Sequence, residues 1–284
     1  MPELPEVEIL VRHLSPLLKG KTIRAVEVRR ERVIAPTSNR ALTRALRGAK
    51  FREVSRRGKY LVFTLCSSDS RTPLLLVGHL GMTGRMYLLP KKSVLPRHAA
   101  VVMDLGRRKF VYEDVRYFGR FTLDVSAIAA LGPEPLGADF TVDYLAAALK
   151  RSAQPIKVKL LDQSLVAGIG NIYASEALFR ARISPRLAAR NLKRAQVGRL
   201  WEGIREVLSQ AIECGSTLPL DFGGSNKKDG LFYYGSAGDA SGFYQERLLV
   251  YDRAGRPCTE CGGSVRRVVQ AARSTFYCPR CQRG

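Results

Sequence analysis

Acidic residues are scarce in this chain. Asp and Glu total 25 against 47 Lys and Arg over 284 residues, giving a formal net charge of +22 and a pI near 10.2. That deficit argues against an acidic or charge-balanced surface and points to a polyanionic partner, nucleic acid rather than membrane. No apolar run approaches the length needed to cross a bilayer. No secretory leader is visible either, because Glu3, Glu6 and Glu8 stud the first apolar helix. The expectation is therefore a cytosolic protein. There is no internal repeat and no long basic tail: the cations fall in short clusters at Arg56, Arg57 and Lys59, at Arg107, Arg108 and Lys109, across 180–194, and at Arg266 and Arg267. With 45% hydrophobic residues, the chain has enough material for one large domain or two ordinary ones.

Six cysteines are present, and four of them stand near the end as Cys258-x2-Cys261 and Cys278-x2-Cys281. In a reducing compartment that spacing reads as a tetrahedral zinc site built from two knuckles, the alternative being a pair of disulfides. Cys66, in an apolar strand, and Cys214, near a helix end, read as packed thiols.

The hydrophobic pattern changes period along the chain. Residues 3–19 read as an amphipathic helix with Val7, Leu10, Leu14 and Leu17 on one face and Gly20 at its end. From about 21 to 125, short β-branched and aromatic runs separated by glycine-rich or charged turns predict strands and a β-sandwich. The Gly132–Gly137 segment is a Pro/Gly linker. Helical periodicity follows to about 214, clearest in Leu200, Ile204, Val207, Leu208 and Ile212. Residues 215–244, rich in Gly and Ser, read as a long mobile loop of functional length. The fold class expected is α+β, in three parts: 1–131, an N-terminal helix plus β-sandwich; 132–244, helical, including the 215–244 loop; and 245–284, a zinc β-hairpin. A cleft between domains would suit a long charged ligand.

Two local features carry chemistry. If Met1 is removed, Pro2 becomes a secondary amine next to Glu3. A free α-amino group has a pKa of about 7.7–8.0, so much of it is an uncharged nucleophile near neutral pH. A secondary amine that attacks a sugar aldehyde carbon yields an iminium, cationic without holding a proton and hence an electron sink. Prolines at a chain start also simply begin helices, where a missing N–H costs nothing. Further along, Gly168-Ile169-Gly170 precedes a helix that Asn171 is expected to cap. Outward N–H groups there would suit a phosphate, with Lys157 close by.

Several stretches together resemble the formamidopyrimidine-DNA glycosylase family. They are the opening Met1-Pro2-Glu3-Leu4-Pro5-Glu6-Val7-Glu8, Gly78-His79-Leu80-Gly81-Met82-Thr83-Gly84, Leu131-Gly132-Pro133-Glu134-Pro135-Leu136, Gly168-Ile169-Gly170-Asn171-Ile172-Tyr173-Ala174-Ser175-Glu176 and the four-cysteine unit. They occur in the family's order and span the chain. The resemblance implies a bifunctional base-excision enzyme that removes oxidised purines, 8-oxoguanine and formamidopyrimidines, then nicks the abasic strand by β,δ-elimination. It names 155–181 a helix–two-turn–helix, and it implies one structural Zn2+, a damaged duplex DNA partner and a monomer associated with the bacterial nucleoid.

The resemblance also assigns roles. Pro2 attacks sugar C1′ of an extruded nucleotide while Glu3 protonates the sugar. Lys59 serves β-elimination and contacts phosphate; Arg273 serves δ-elimination. Met82, Arg116 and Phe118 match the trio that fills the hole left by the extruded base, with Arg116 gripping the orphaned cytosine. His98, Lys157 and Asn171 match phosphate contacts, Glu6 and Glu176 are supports, and the 215–244 loop covers the lesion. One departure stands out: where the family shows Asp-Pro-Arg-Arg-Phe-Gly, this chain has Asp114-Val115-Arg116-Tyr117-Phe118-Gly119, without the proline. Two other readings compete. An enzyme resembling endonuclease VIII would act on oxidised pyrimidines, but that group opens Pro-Glu-Gly-Pro and lacks the Met–Arg–Phe set. A non-catalytic zinc-finger DNA-binding protein would explain the charge and the zinc while leaving Pro2 and Glu3 idle.

Overall fold

A computed structural model describes residues 2–67, 70–215, 220–221, 233–234 and 247–283. These fall into two compact units. One holds Pro2, residues 6–129 and the short ladder at 220–221 and 233–234; the other holds residues 3–5, 130–215 and 247–283.

Helix α1 (Leu4–Leu18) follows the expected stripe through Val7, Leu10 and Leu14, all buried, but its last buried position is Leu18, and the expected Leu17 is only half-buried. Beyond it stand β1 (Ala25–Val28), α2 (Asn39–Leu46), β2 (Lys50–Arg57), β3 (Tyr60–Ser67), β4 (Ser70–His79), β5 (Gly84–Pro90), β6 (Ala99–Asp104), β7 (Arg108–Asp114), β8 (Arg120–Thr122) and the single turn α3 (Ser126–Ala129). The strands form two four-stranded antiparallel sheets, in the orders β1-β6-β7-β5 and β2-β3-β4-β8. Rings from both sheets meet in the core. Phe63 on β3 contacts Phe51 at 6.0 Å, and Phe110 on β7 and Phe121 on β8 at 5.8 Å each, all edge-on.

Helix α2 corrects the expectation of strands alone between 21 and 125. Ser38 Oγ accepts the Ala41 N–H at 3.2 Å, and Leu42 and Leu46, one turn apart, are both buried. The arginines and leucines of α2 each repeat at a four-residue spacing, Arg40 with Arg44 and Leu42 with Leu46, a helical period inside a stretch read as strands. Strand β4 contains Pro73. The proline lies beyond the β8 pairing, which reaches only Val77–His79, so its missing N–H costs no ladder bond on that side.

The second unit contains α4 (Val142–Lys150), α5 (Ile156–Leu160), α6 (Asn171–Arg180) and α7 (Arg194–Glu213) around a core that includes Leu145, Leu160, Tyr173, Leu200 and Ile204. Within the 215–244 segment, β9 (Leu220–Asp221) and β10 (Tyr233–Tyr234) pair antiparallel; most of the expected lesion-covering loop lies outside the described residues. Strands β11 (Arg266–Gln270) and β12 (Arg273–Tyr277) form a hairpin over a small cluster of Phe179, Val250, Val265 and Phe276. Among the described residues no helix is long and apolar enough to cross a membrane.

Phe63 joins both sheets, so Phe63→Ala should lower stability by roughly 3–5 kcal/mol. Urea denaturation measures this; a loss below about 1 kcal/mol would mean that the inter-sheet core does not depend on this ring.

Candidate active site and nucleic-acid interface

Pro2 is buried, and the residue after it is fixed by backbone donors. Glu3 is 2% exposed. Its Oε2 accepts the Gly170 N–H at 2.7 Å and the Tyr173 N–H at 3.4 Å, while Oε1 accepts the Ile172 N–H at 2.9 Å. Leu4 N–H donates to Gly168 O at 3.1 Å, so the start of the chain is tied in both directions. This corrects the expected cap. Gly170, not Asn171, precedes the first helical residue, and the N–H groups expected to face a phosphate are taken by the chain's own carboxylate. The physics is unchanged, since a helix N-terminus attracts an anion. A Cβ on Gly170 would collide with the Glu3 carboxyl carbon, which makes glycine the only residue that admits this approach.

Lys157 and Asn171 do come together. Lys157 is buried, and its Nζ donates to Asn171 Oδ1 at 2.5 Å, Thr275 Oγ1 at 2.9 Å and Ser274 O at 3.0 Å. Asn171 Nδ2 also donates to Ser274 O at 2.9 Å. Burial pushes the Lys157 ammonium down to about 8; the neighbouring Glu3 charge opposes that shift and Arg273 adds to it. These bonds fix β12 immediately after exposed Arg273. The hairpin ahead of it turns through Ala271 (φ +46) and Ala272 (φ +58), both left-handed, as a two-residue type I′ connection requires.

In the first unit, Met82 and Phe118 are 48% and 46% exposed, and Val115 51%, an unusual grouping of large apolar side chains in two turns. Arg116 Nη1 lies 3.2 Å from Met82 Sδ, and its guanidinium sits 4.7 Å from the Phe118 ring centroid. Thus Met82, Arg116 and Phe118 form one contacting group. His98 joins its edge: the Tyr117 hydroxyl lies 3.3 Å from His98 Nδ1 and accepts from Arg30 Nε at 3.1 Å.

Lys59 stands in the tight turn between β2 and β3, after Gly58 at φ +56, and is buried. Nearby, the His79 ring lies tilted against Tyr60, with centroids 4.7 Å apart. Burial, then the Lys59 and Arg120 charges, push the His79 imidazole down to about 4, so it is neutral at pH 7. Its Nδ1 accepts the Gly81 N–H at 3.1 Å, which leaves the ring proton on Nε2.

The four cysteines Cys258, Cys261, Cys278 and Cys281 converge, with all sulfurs within 4.8 Å of one another. The Cys258–Cys281 and Cys261–Cys278 Sγ pairs are 3.9 and 3.5 Å apart. A tetrahedral site with Zn–S bonds of about 2.3 Å needs sulfurs about 3.8 Å apart. The set therefore fits one structural zinc, which supplies folding energy to a unit whose own apolar cluster is small.

Sequence reasoning missed three residues that organise these sites. Tyr117, Thr83 and Asp114 are ordinary polar residues in sequence, and only their place beside the exposed trio gives them meaning. Glu176 was expected as a support, and its buried carboxylate accepts the N–H groups of Leu249, Val250 and Tyr251.

Three family profiles match in order: the formamidopyrimidine-DNA glycosylase N-terminal domain over residues 1–121, its H2TH domain over 131–220, and the zinc finger found in FPG and IleRS over 255–284. Formamidopyrimidine-DNA glycosylase of Carboxydothermus hydrogenoformans is 39% identical, with 100% of both chains covered. The Thermus thermophilus protein of the same name is 42% identical over 99% of this chain and 98% of its own. Lactococcus lactis FPG solved with FAPY-dG containing DNA superposes with a TM-score of 0.85 at 32% identity, covering 99% of this chain and 100% of that one. MutM solved with carbocyclic 8-oxo-G containing DNA gives 0.86 at 31% identity, covering 100% of each. The chain belongs to the formamidopyrimidine-DNA glycosylase family.

Proposed function

We propose that this protein excises formamidopyrimidines and 8-oxoguanine from duplex DNA and then nicks the abasic strand, working through a covalent bond between Pro2 and the sugar. The observation that carries the reading is the clamped Glu3: three backbone donors hold the residue beside the Pro2 nitrogen, giving a chain terminus the rigidity that a nucleophile needs.

The Pro2 nitrogen, freed by removal of Met1, attacks C1′ of the extruded nucleotide, and the C1′–N bond to the damaged base breaks. Glu3 assists by delivering a proton to the sugar ring oxygen as the ring opens. The resulting iminium withdraws electrons from C2′, whose proton leaves with the aid of Lys59, and the bond to the 3′ phosphate breaks. Arg273, at the tip of its hairpin, serves the second elimination, in which the bond to the 5′ phosphate breaks. Release by water returns the amine. Met82, Arg116 and Phe118 fill the vacated stack, with Arg116 reading the orphaned base. His98, Lys157 and Asn171 support the phosphates flanking the lesion, Lys157 and Asn171 in concert with the hairpin that carries Arg273. The partner is damaged duplex DNA, and the protein acts as a monomer.

Three outcomes follow. Any N-terminal extension turns the Pro2 nitrogen into an amide and abolishes both nicking and borohydride trapping on abasic DNA, while Pro2→Gly keeps an amine and still traps. An extended protein that nicks normally would refute the mechanism. Cys258→Ser loses zinc, measured by metal analysis, and with it DNA affinity; full binding by the metal-free variant would contradict the role given to the finger. Affinity should fall linearly on a plot of log K against log salt. A flat plot would remove phosphate neutralisation from the account.

A further inference from the structure

The exposed Met82, Arg116 and Phe118 stand on two separate turns, and one buried carboxylate ties the turns together. Asp114 ends β7 with no exposed surface. Its Oδ1 accepts the Thr83 hydroxyl at 2.6 Å and the Arg116 N–H at 3.2 Å, and its Oδ2 accepts the Gly119 N–H at 2.8 Å. The Arg116 N–H also reaches Thr83 Oγ1 at 3.2 Å. Thr83 directly follows Met82, while Arg116 and Gly119 bracket Phe118, so each bond fixes backbone beside an exposed member of the trio.

Among the described residues Asp114 forms no ion pair. A buried carboxyl without an ion-pair partner depends on its hydrogen bonds, and the three donors to Asp114 come from the two turns that bear the trio. The turns also touch directly. At Gly81 (φ +57) a Cβ would lie 2.7 Å from Gly119 N and 2.8 Å from Phe118 C, so no side chain fits between them. Tyr117, held at φ +53 between Arg30 and His98, fixes the far side of a loop that lacks the family's proline.

We propose that Asp114, acting through Thr83 and the Arg116 and Gly119 N–H groups, is the positioning residue that holds Met82, Arg116 and Phe118 as a preformed wedge before DNA arrives. This rests on the reading of the trio as the group that replaces an extruded base. Asp114 and Thr83 touch neither sugar nor base. They act by removing the disorder that three exposed side chains would otherwise lose on binding, and by aiming the Arg116 guanidinium at the orphaned base. Only a carboxylate can serve here, because asparagine offers a single acceptor oxygen and would turn an N–H2 toward another donor.

The test uses Thr83→Val and Asp114→Asn in the full-length protein, with two substrates. One is a duplex carrying 8-oxoguanine opposite cytosine or adenine; the other is a single strand with a preformed abasic site, which has no base to extrude. Thr83→Val should lower kcat/KM on the duplex roughly tenfold, the size of one hydrogen bond to a charged group, and should compress the cytosine-over-adenine preference by a similar factor. Nicking and borohydride trapping of the abasic single strand should be unchanged, and Thr83→Ser should restore the preference. Asp114→Asn should lower the duplex kcat/KM and the opposite-base preference further while leaving the abasic single strand unaffected; if it fails to fold, Thr83→Val decides. An unchanged opposite-base preference in Thr83→Val, or equal losses on both substrates, overturns the proposal. The double variant Met82→Ala, Phe118→Ala separates the two levels. If it excises normally, the wedge reading itself fails; if it is impaired while Thr83→Val is normal, only the clamp fails.

Discussion

A free chain terminus ordinarily frays, and here it is held by a buried carboxylate that accepts three amide hydrogens from the start of α6. The chemistry proposed for Pro2 depends on that contact, because an amine on a loose end would spend little of its time aligned with a sugar carbon. Glu3 receives what a phosphate receives at other helix starts: N–H donors and the positive end of the dipole. The glycines before α6 admit it, and Leu4 completes the attachment by donating to Gly168.

The same device recurs at other buried charges. Glu176 holds the irregular segment at Leu249–Tyr251, with burial pushing its carboxyl above the usual range against the pull of those N–H bonds. Lys157 does the converse, filling three acceptors to hold the strand behind Arg273. Asp114 joins the two turns that carry Met82 and Phe118. The three carboxylates accept backbone N–H groups of turns, of a helix start or of an irregular segment, whereas Lys157 donates to two side-chain oxygens and to the carbonyl of Ser274 on β12.

Much of this was readable from the residues. The α1 stripe ends where Gly20 predicts, the apolar heptad-like spacing of α7 buries Leu200, Ile204, Val207 and Leu208, and the cysteine spacing anticipates a converged set of sulfurs. Local periodicity and short-range spacing survive folding unchanged. Other features were not readable. Asn171 looked like a cap because its type favours that position, yet a carboxylate 168 positions earlier took the role. Tyr117 in a left-handed conformation has no signature, since Asn or Gly would be expected there.

What the sequence determined by itself was the class of partner, through charge, the metal ligands, through spacing, and the order of helix and strand apart from α2, through hydrophobic period. All are properties of neighbours along the chain or of sums over it. Tertiary structure alone decided which donors Glu3 meets, which acceptors surround Lys157, and which turns Asp114 joins. Those contacts include pairs 31, 118 and 170 positions apart. Hydrogen bonds at such separations are selected by the packing of whole elements, which no local pattern of residues encodes.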